Sequence, residues 1–130
     1  MTLFVDASAA IAILGGEPER EAMLARLLDE DAIWSPVARW ETIVGLHKSY
    51  RLTLPEATQR AFTFAEELRV RMVAIGEQEA DLALRSYAVY GKGVHPAALN
   101  MGDCFAYACA TANNARLLYK GNDFVQTDLA

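Results

Sequence analysis

Four short apolar runs recur along the chain: Leu3-Phe4-Val5, Ile33-Trp34, Met72 to Ile75 and Leu117-Leu118-Tyr119. Between each successive pair lies helical-period sequence long enough to make a crossover. Runs that stay apolar on successive residues, instead of alternating with polar ones, suit strands covered on both faces. Strands joined through helices call for right-handed crossovers, and a parallel sheet with helices on both sides accommodates them. The expected class is therefore α/β, a three-layer α/β/α domain around a central, mainly parallel sheet.

The intervening segments carry their own start and stop signals. Ala7 to Leu14 reads as a helix ended by Gly15-Gly16, and Pro18 is expected to open a second helix with an apolar stripe of Met23, Leu24, Leu27 and Leu28. Val37 to Tyr50 is helical in period. Thr53-Leu54-Pro55-Glu56 has capping-box spacing for a helix running to about Val70. Gly76 to Tyr90 and Asn100 to about Asn113 are the last two helices, separated by Gly91-Lys92-Gly93 and a loop containing Pro96.

At 130 residues the chain fits one domain, 1–130. No apolar run approaches the roughly 20 residues needed to span a membrane, and the start lacks a basic leader, so a soluble cytoplasmic protein is expected. Cys104 and Cys109 lack metal-binding spacing and are expected as buried free thiols. The net charge of -5 argues against gripping nucleic acid through a broadly basic surface. A nucleic-acid substrate stays open, because bound divalent ions can invert the sign of an acidic cleft.

Within this frame, four carboxylates stand apart. Asp6, Glu41, Asp103 and Asp123 sit where the chain is apolar or turns sharply, whereas most other acids lie in charge-rich stretches. A carboxylate among aliphatic residues is costly to desolvate unless a cation or a proton offsets it. Each also has a structural reading. Asp6 can cap the first helix, with Ser8 as a competing cap that frees Asp6 for a ligand role. Glu41 can reach water from a helix edge or pair with Arg39 or Lys48. Asp103 can complement the dipole of a helix capped by Asn100, and Asp123 can serve a turn.

Together the fragments are more specific. Val5-Asp6-Ala7-Ser8, Trp40-Glu41, Leu99-Asn100-Met101-Gly102-Asp103-Cys104-Phe105-Ala106-Tyr107-Ala108 and Leu117-Leu118-Tyr119-Lys120-Gly121-Asn122-Asp123-Phe124 resemble, in order and separation, the PIN-domain ribonucleases. The likeness is greatest to the VapC-type toxins of bacterial toxin–antitoxin pairs. The resemblance implies a Mg²⁺-dependent hydrolytic cut in RNA, with Mn²⁺ able to substitute. It makes Asp6 and Asp103 the principal metal ligands, with Glu41 and Asp123 completing the pocket and Ser8 as a supporting hydroxyl. It also implies a homodimer and a cognate antitoxin in the active-site groove. Two other readings are a noncatalytic partner-binding regulator of the same fold and a receiver-like phosphotransfer domain.

The chemistry agrees with that implication. Mg²⁺ keeps several waters and takes one or two carboxylates plus substrate phosphate, which suits a sparse acid set without His or Cys ligands. Crowded carboxylates should titrate as a coupled unit and hold protons tightly, so acid pH should weaken metal binding. His47 and His95 have no triad pattern and are not expected to be catalytic. Arg39, Lys48, Tyr50-Arg51, Lys92 and Lys120 are candidate phosphate contacts, Lys120 foremost because it is close to Asp123.

Overall fold

Leu3, Phe4 and Val5 are all fully buried, as expected for an interior strand, and β1 (Thr2–Val5) lies inside the sheet of the computed structural model, which describes residues 1–130. β2 (Asp31–Trp34), β3 (Val70–Met72) and β4 (Arg116–Leu118) complete a four-stranded sheet in the order β3-β2-β1-β4. All three pairings are parallel, with Phe4 opposite Ile33 and Leu117. The chain therefore builds outward from β1 through β2 to β3, then returns to the other side of β1 for β4. That reversal creates a crevice between the carboxyl ends of β1 and β4, where open parallel sheets place their ligands.

Right-handed connections set the helices around this sheet. α1 (Ala7–Leu14) and α2 (Arg20–Asp29) link β1 to β2, α3 (Pro36–Ser49) and α4 (Leu54–Glu67) link β2 to β3, and α5 (Glu77–Tyr90) and α6 (Met101–Ala112) link β3 to β4. Because the last crossover runs the opposite way along the sheet, α5 and α6 cover the face opposite to that of the first four helices. The expected three-layer α/β/α architecture is what forms.

Local chemistry explains most boundaries. Ser35 caps α3 by accepting the Ala38 N–H at 3.1 Å, with Pro36 at the first helical position. Thr53 and Glu56 form the expected reciprocal capping box. The core joins both layers: Trp34 packs on Phe64 with ring centres 5.6 Å apart, and Phe124 after β4 is buried against Tyr119.

Several boundaries differ from expectation, β2 among them, which begins at Asp31 ahead of Ile33. Pro18 does not open α2; it lies in the turn after Gly16, whose φ of +65° reverses the chain, and the helix starts at Arg20. The third strand is Val70–Met72, not Met72 to Ile75. Arg69, two residues past the end of α4, adopts φ +55° and sends the chain directly into the strand. β3 is an edge strand with only Val70 buried, so Arg71 and the exposed Met72 obscure it in the sequence. The fourth strand begins at Arg116 and ends at Leu118, one residue earlier than read. Cys104 and Cys109 are free and buried, as expected.

Candidate active site

The carboxyl end of β1 delivers Asp6 into the crevice. Its main-chain N–H donates to the Leu118 carbonyl at 3.0 Å, tying it to β4. Its carboxylate caps α1, accepting the Ser8 N–H at 3.1 Å and the Ser8 hydroxyl at 2.5 Å. The cap is thus Asp6 and not Ser8, correcting the expectation that Ser8 would compete for that role. Ser8 instead holds the carboxylate, and its own oxygen accepts the Lys120 N–H at 3.0 Å. One hydroxyl therefore links Asp6 to the turn that carries Asp123.

Asp103 enters from α6. Asn100 caps that helix by accepting the Asp103 N–H at 2.9 Å, and Asp103 Oδ2 accepts the Asn100 N–H at 3.1 Å in return. This fixes the side chain while leaving its second oxygen outside the capping box. The helix beyond is almost wholly buried from Gly102 to Ala110, as its lack of charge suggested.

Glu41 comes from the opposite helical layer. It reaches across the top of the sheet to lie against Gly102, where a Cβ would come within 2.5 Å of the Glu41 Cδ and 2.8 Å of its Oε1. The absence of a side chain at Gly102 makes room for the acid. Neither Arg39 nor Lys48 forms an ion pair with it; the Arg39 guanidinium lies 5.0 Å from the centre of the Phe62 ring. Asp123, exposed in the turn after β4, is close enough to act as a charge on both Asp6 and Asp103.

The electrostatic result is a pocket that resists ionisation. Burial is the largest influence raising Glu41, to about 7, followed by the charges of Asp6 and Asp103. Burial likewise lifts Asp103 to about 6 against the lowering effect of the Asn100 N–H, with Asp123 and Asp6 adding to the rise. Asp6 is raised by burial despite its bonds to Ser8. Every salt bridge in the protein lies elsewhere, so no lysine or arginine neutralises these acids.

An all-oxygen, uncompensated donor set is the chemistry a hard divalent cation satisfies. No three of these side chains converge as a ready-made shell of direct ligands. This is compatible with Mg²⁺, which retains several waters and takes few protein oxygens. Asp6 and Asp103, both buried and hydrogen-bonded in place, are the best-fixed candidates to hold it.

Other candidates fall differently. His47 is exposed and its Nδ1 donates to the Leu52 carbonyl at 2.6 Å, while His95 Nδ1 accepts the Ala97 N–H at 3.0 Å. Neither is among the acids. The Lys120 ammonium, a candidate phosphate contact, lies 2.5 Å from Glu17 Oε1 and 3.6 Å from Glu19 Oε1. Gly102 was missed in the sequence, although a glycine in the first turn of an otherwise favourable helix was a usable signal. A separate apolar cleft of about 700 Å³ runs between α1, α2 and α4, lined by Ile13, Leu14, Leu24, Leu28, Phe64 and Leu68.

Comparison with known proteins places this geometry. The PIN domain model matches residues 3–129. The chain is 40% identical to a VapC ribonuclease of Rhizobium meliloti (strain 1021), covering 97% of this chain and 98% of that protein. It is 33% identical to ribonuclease VapC30 of Mycobacterium tuberculosis, covering 98% and 96%. In shape it resembles Mycobacterium tuberculosis VapC20, a sarcin-ricin loop cleaving toxin, with a TM-score of 0.72 at 17% identity over 95% of this chain and 92% of that one. It also resembles VapBC2 from Rickettsia felis bound to a promoter DNA fragment, with a TM-score of 0.73 at 16% identity over 99% and 95%. With its parallel sheet, its acids at the β1/β4 crevice and relatives matched along nearly their whole length, the chain belongs to the PIN-domain family, among its VapC-type members.

Proposed function

We propose that residues 1–130 act as one domain, a Mg²⁺-dependent endoribonuclease that is the toxin of a type II toxin–antitoxin pair. The observation that carries this reading is that Asp6, Glu41, Asp103 and Asp123, from separate elements and without a lysine or arginine paired to them, lie near enough to act on one another as charges at the reversal point of the sheet. Asp6 and Asp103 would hold the ion, Glu41 and Asp123 would complete the pocket, and Mn²⁺ would substitute. The relatives named as ribonucleases support RNA as the substrate.

When bound, the divalent ion supplies charge neutralisation at the scissile phosphodiester and lowers the pKa of the attacking water. The chain's residues do the remainder. Ser8 and the Asn100 N–H hold the Asp6 and Asp103 carboxylates in fixed orientations, which avoids reorganisation on binding. Glu41, with its raised pKa of about 7, is poised to take up or release a proton near neutral pH. Hydrolysis adds water across one P–O bond and releases two RNA ends.

A protein partner is part of the proposal. Structural neighbours include a toxin–antitoxin complex from Klebsiella pneumoniae, which supports a cognate antitoxin for this chain. The apolar cleft between α1, α2 and α4 suits an amphipathic helix of such a partner, with Arg20, Arg60, Glu56 and Glu67 at its rim. A homodimer fits the exposed Trp40 and Leu84 on outer helix faces. No helix is long and apolar enough to cross a membrane.

The test is cleavage of total cellular RNA by antitoxin-free protein with Mg²⁺ or Mn²⁺, beside EDTA and a folded Asp103→Asn variant. Discrete products absent from both controls are expected. Products that persist in Asp103→Asn or in EDTA would remove the acids from the reaction, and no products from the wild type with metal bound would favour the noncatalytic regulator reading.

A further inference from the structure

Outside the acid pocket a second network joins the elements that build it. α1 and α3 run side by side, each starting near the crevice. Gly45 faces the side chain of Ile11, and the Tyr50 ring lies against Gly15 so closely that a Cβ there would overlap it. At this far end the Tyr50 hydroxyl donates to Glu17 Oε2, while Lys120 Nζ lies 2.5 Å from Glu17 Oε1. Glu17 follows the helix that begins at Asp6, Tyr50 caps the helix that carries Glu41, and Lys120 stands just before Asp123. Each acid-bearing element on this side of the site thus sends one residue to a single carboxylate.

We propose that Glu17, Tyr50 and Lys120 form a positioning clamp that sets the spacing of the pocket carboxylates from a distance. The inference rests on the metal-dependent nuclease reading and adds residues to it. Its physical basis is repulsion: Asp6, Glu41, Asp103 and Asp123 lie near one another without a lysine or arginine paired to them, so the elements carrying them repel to the extent that these acids ionise. A rigid helix transmits a restraint at one end to the other. Lys120 is restrained twice, through its ammonium to Glu17 and through its N–H to Ser8, which also holds Asp6. Glu19 strengthens the arrangement by charge; its Oε1 is buried without a hydrogen bond and lies 3.6 Å from the same ammonium. The bonds from Lys120 and then Tyr50 hold the Glu17 carboxyl below its ordinary range, keeping it ionised.

The clamp makes a prediction that a mere structural staple does not. Direct Mn²⁺ binding, followed by electron paramagnetic resonance on folded protein, should weaken about tenfold in Glu17→Gln, the low end of the range for outer-shell changes. The loss in Tyr50→Phe should be smaller, and it removes only the hydroxyl from a partly exposed ring, so folding is not at stake. The charge-swapped double variant Glu17→Lys/Lys120→Glu should recover only part of the affinity, because Glu19 would then face a like charge. Unchanged Mn²⁺ affinity in both single variants, beside normal binding by the wild type and loss in Asp103→Asn, would overturn the clamp alone. Failure of the wild type itself to bind Mn²⁺ better than Asp103→Asn would overturn the metal reading and the clamp with it.

Discussion

Gly102→Ala tests the contact on which the pocket's geometry turns. The new methyl group would sit 2.5 Å from Glu41 Cδ and 2.8 Å from its Oε1, well inside van der Waals contact. The obstructing atoms are the end of a flexible side chain, so Glu41 should rotate away at a rotamer cost of about 0.5–1.5 kcal/mol. Alanine in place of glycine within a helix returns about 1 kcal/mol. The two nearly cancel, and the variant's unfolding free energy should stay within about 1 kcal/mol of wild type, a few degrees in Tm. The pocket should not escape so lightly. With the carboxylate displaced, metal affinity should fall about 10–100-fold, as for a disturbed outer ligand, and cleavage should fall with it. Thermal unfolding, Mn²⁺ titration and RNA cleavage on the same preparation read these quantities separately. Unaltered metal affinity and cleavage would show that the Glu41 carboxylate over Gly102 plays no part in the site. A stability loss above about 3 kcal/mol would show instead that Glu41 is locked in place by packing.

Other outcomes follow from the same electrostatics and packing. A carboxyl raised in the folded state keeps a proton that the unfolded chain has released, so its contribution to stability is present at low pH and lost as pH rises. Glu41, raised from 4.5 to about 7, should therefore destabilise the metal-free protein progressively across that window. The limit is roughly 3 kcal/mol, reduced by whatever solvent reaches the partly buried group. Melting curves of wild type and Glu41→Gln in EDTA from pH 5 to 8 check this, and equal slopes would refute it. Asp103→Asn should keep its capping bond to Asn100, remain folded with an equal or higher Tm in EDTA, and lose cleavage; melting and RNA assays on the same sample decide. Mg²⁺ affinity should drop between pH 8 and pH 5 as protons compete, and a flat calorimetric titration series would contradict that. Phe124→Ala should cost about 3–5 kcal/mol in denaturant unfolding, since the ring is fully buried behind the turn that bears Asp123.

Much of the molecule can be read along the chain because its signals are local. Thr53 with Glu56 and Asn100 with Asp103 announce helix starts through bonds made within one turn, and both capping boxes form. Leu3-Phe4-Val5 announces a doubly covered strand. Where signals were weak the reading slipped. β3 has one buried residue and two exposed ones, and nothing in Arg69 marks it as the left-handed residue that ends α4. The four acids stand out because their neighbours are apolar, but Asp6 and Ser8, two capping-type residues two positions apart, cannot be ranked as caps without the backbone dihedrals.

The sequence by itself determined the alternation of strands and helices, and with it the parallel α/β class, because periodicity, capping and turn residues act over a few positions. It also determined the inventory of candidate acids, of which Asp6, Glu41 and Asp103 are the poorly solvated ones. Only the tertiary structure decided the strand order β3-β2-β1-β4, in which β4 returns beside β1 and brings the Asp123 turn to Asp6. It likewise decided that Glu41 reaches across the top of the sheet to Gly102, and that the Lys120 ammonium pairs with Glu17. These pairings join residues distant in the chain, and their energies depend on burial and on which charges become neighbours, quantities that exist only once the layers have packed.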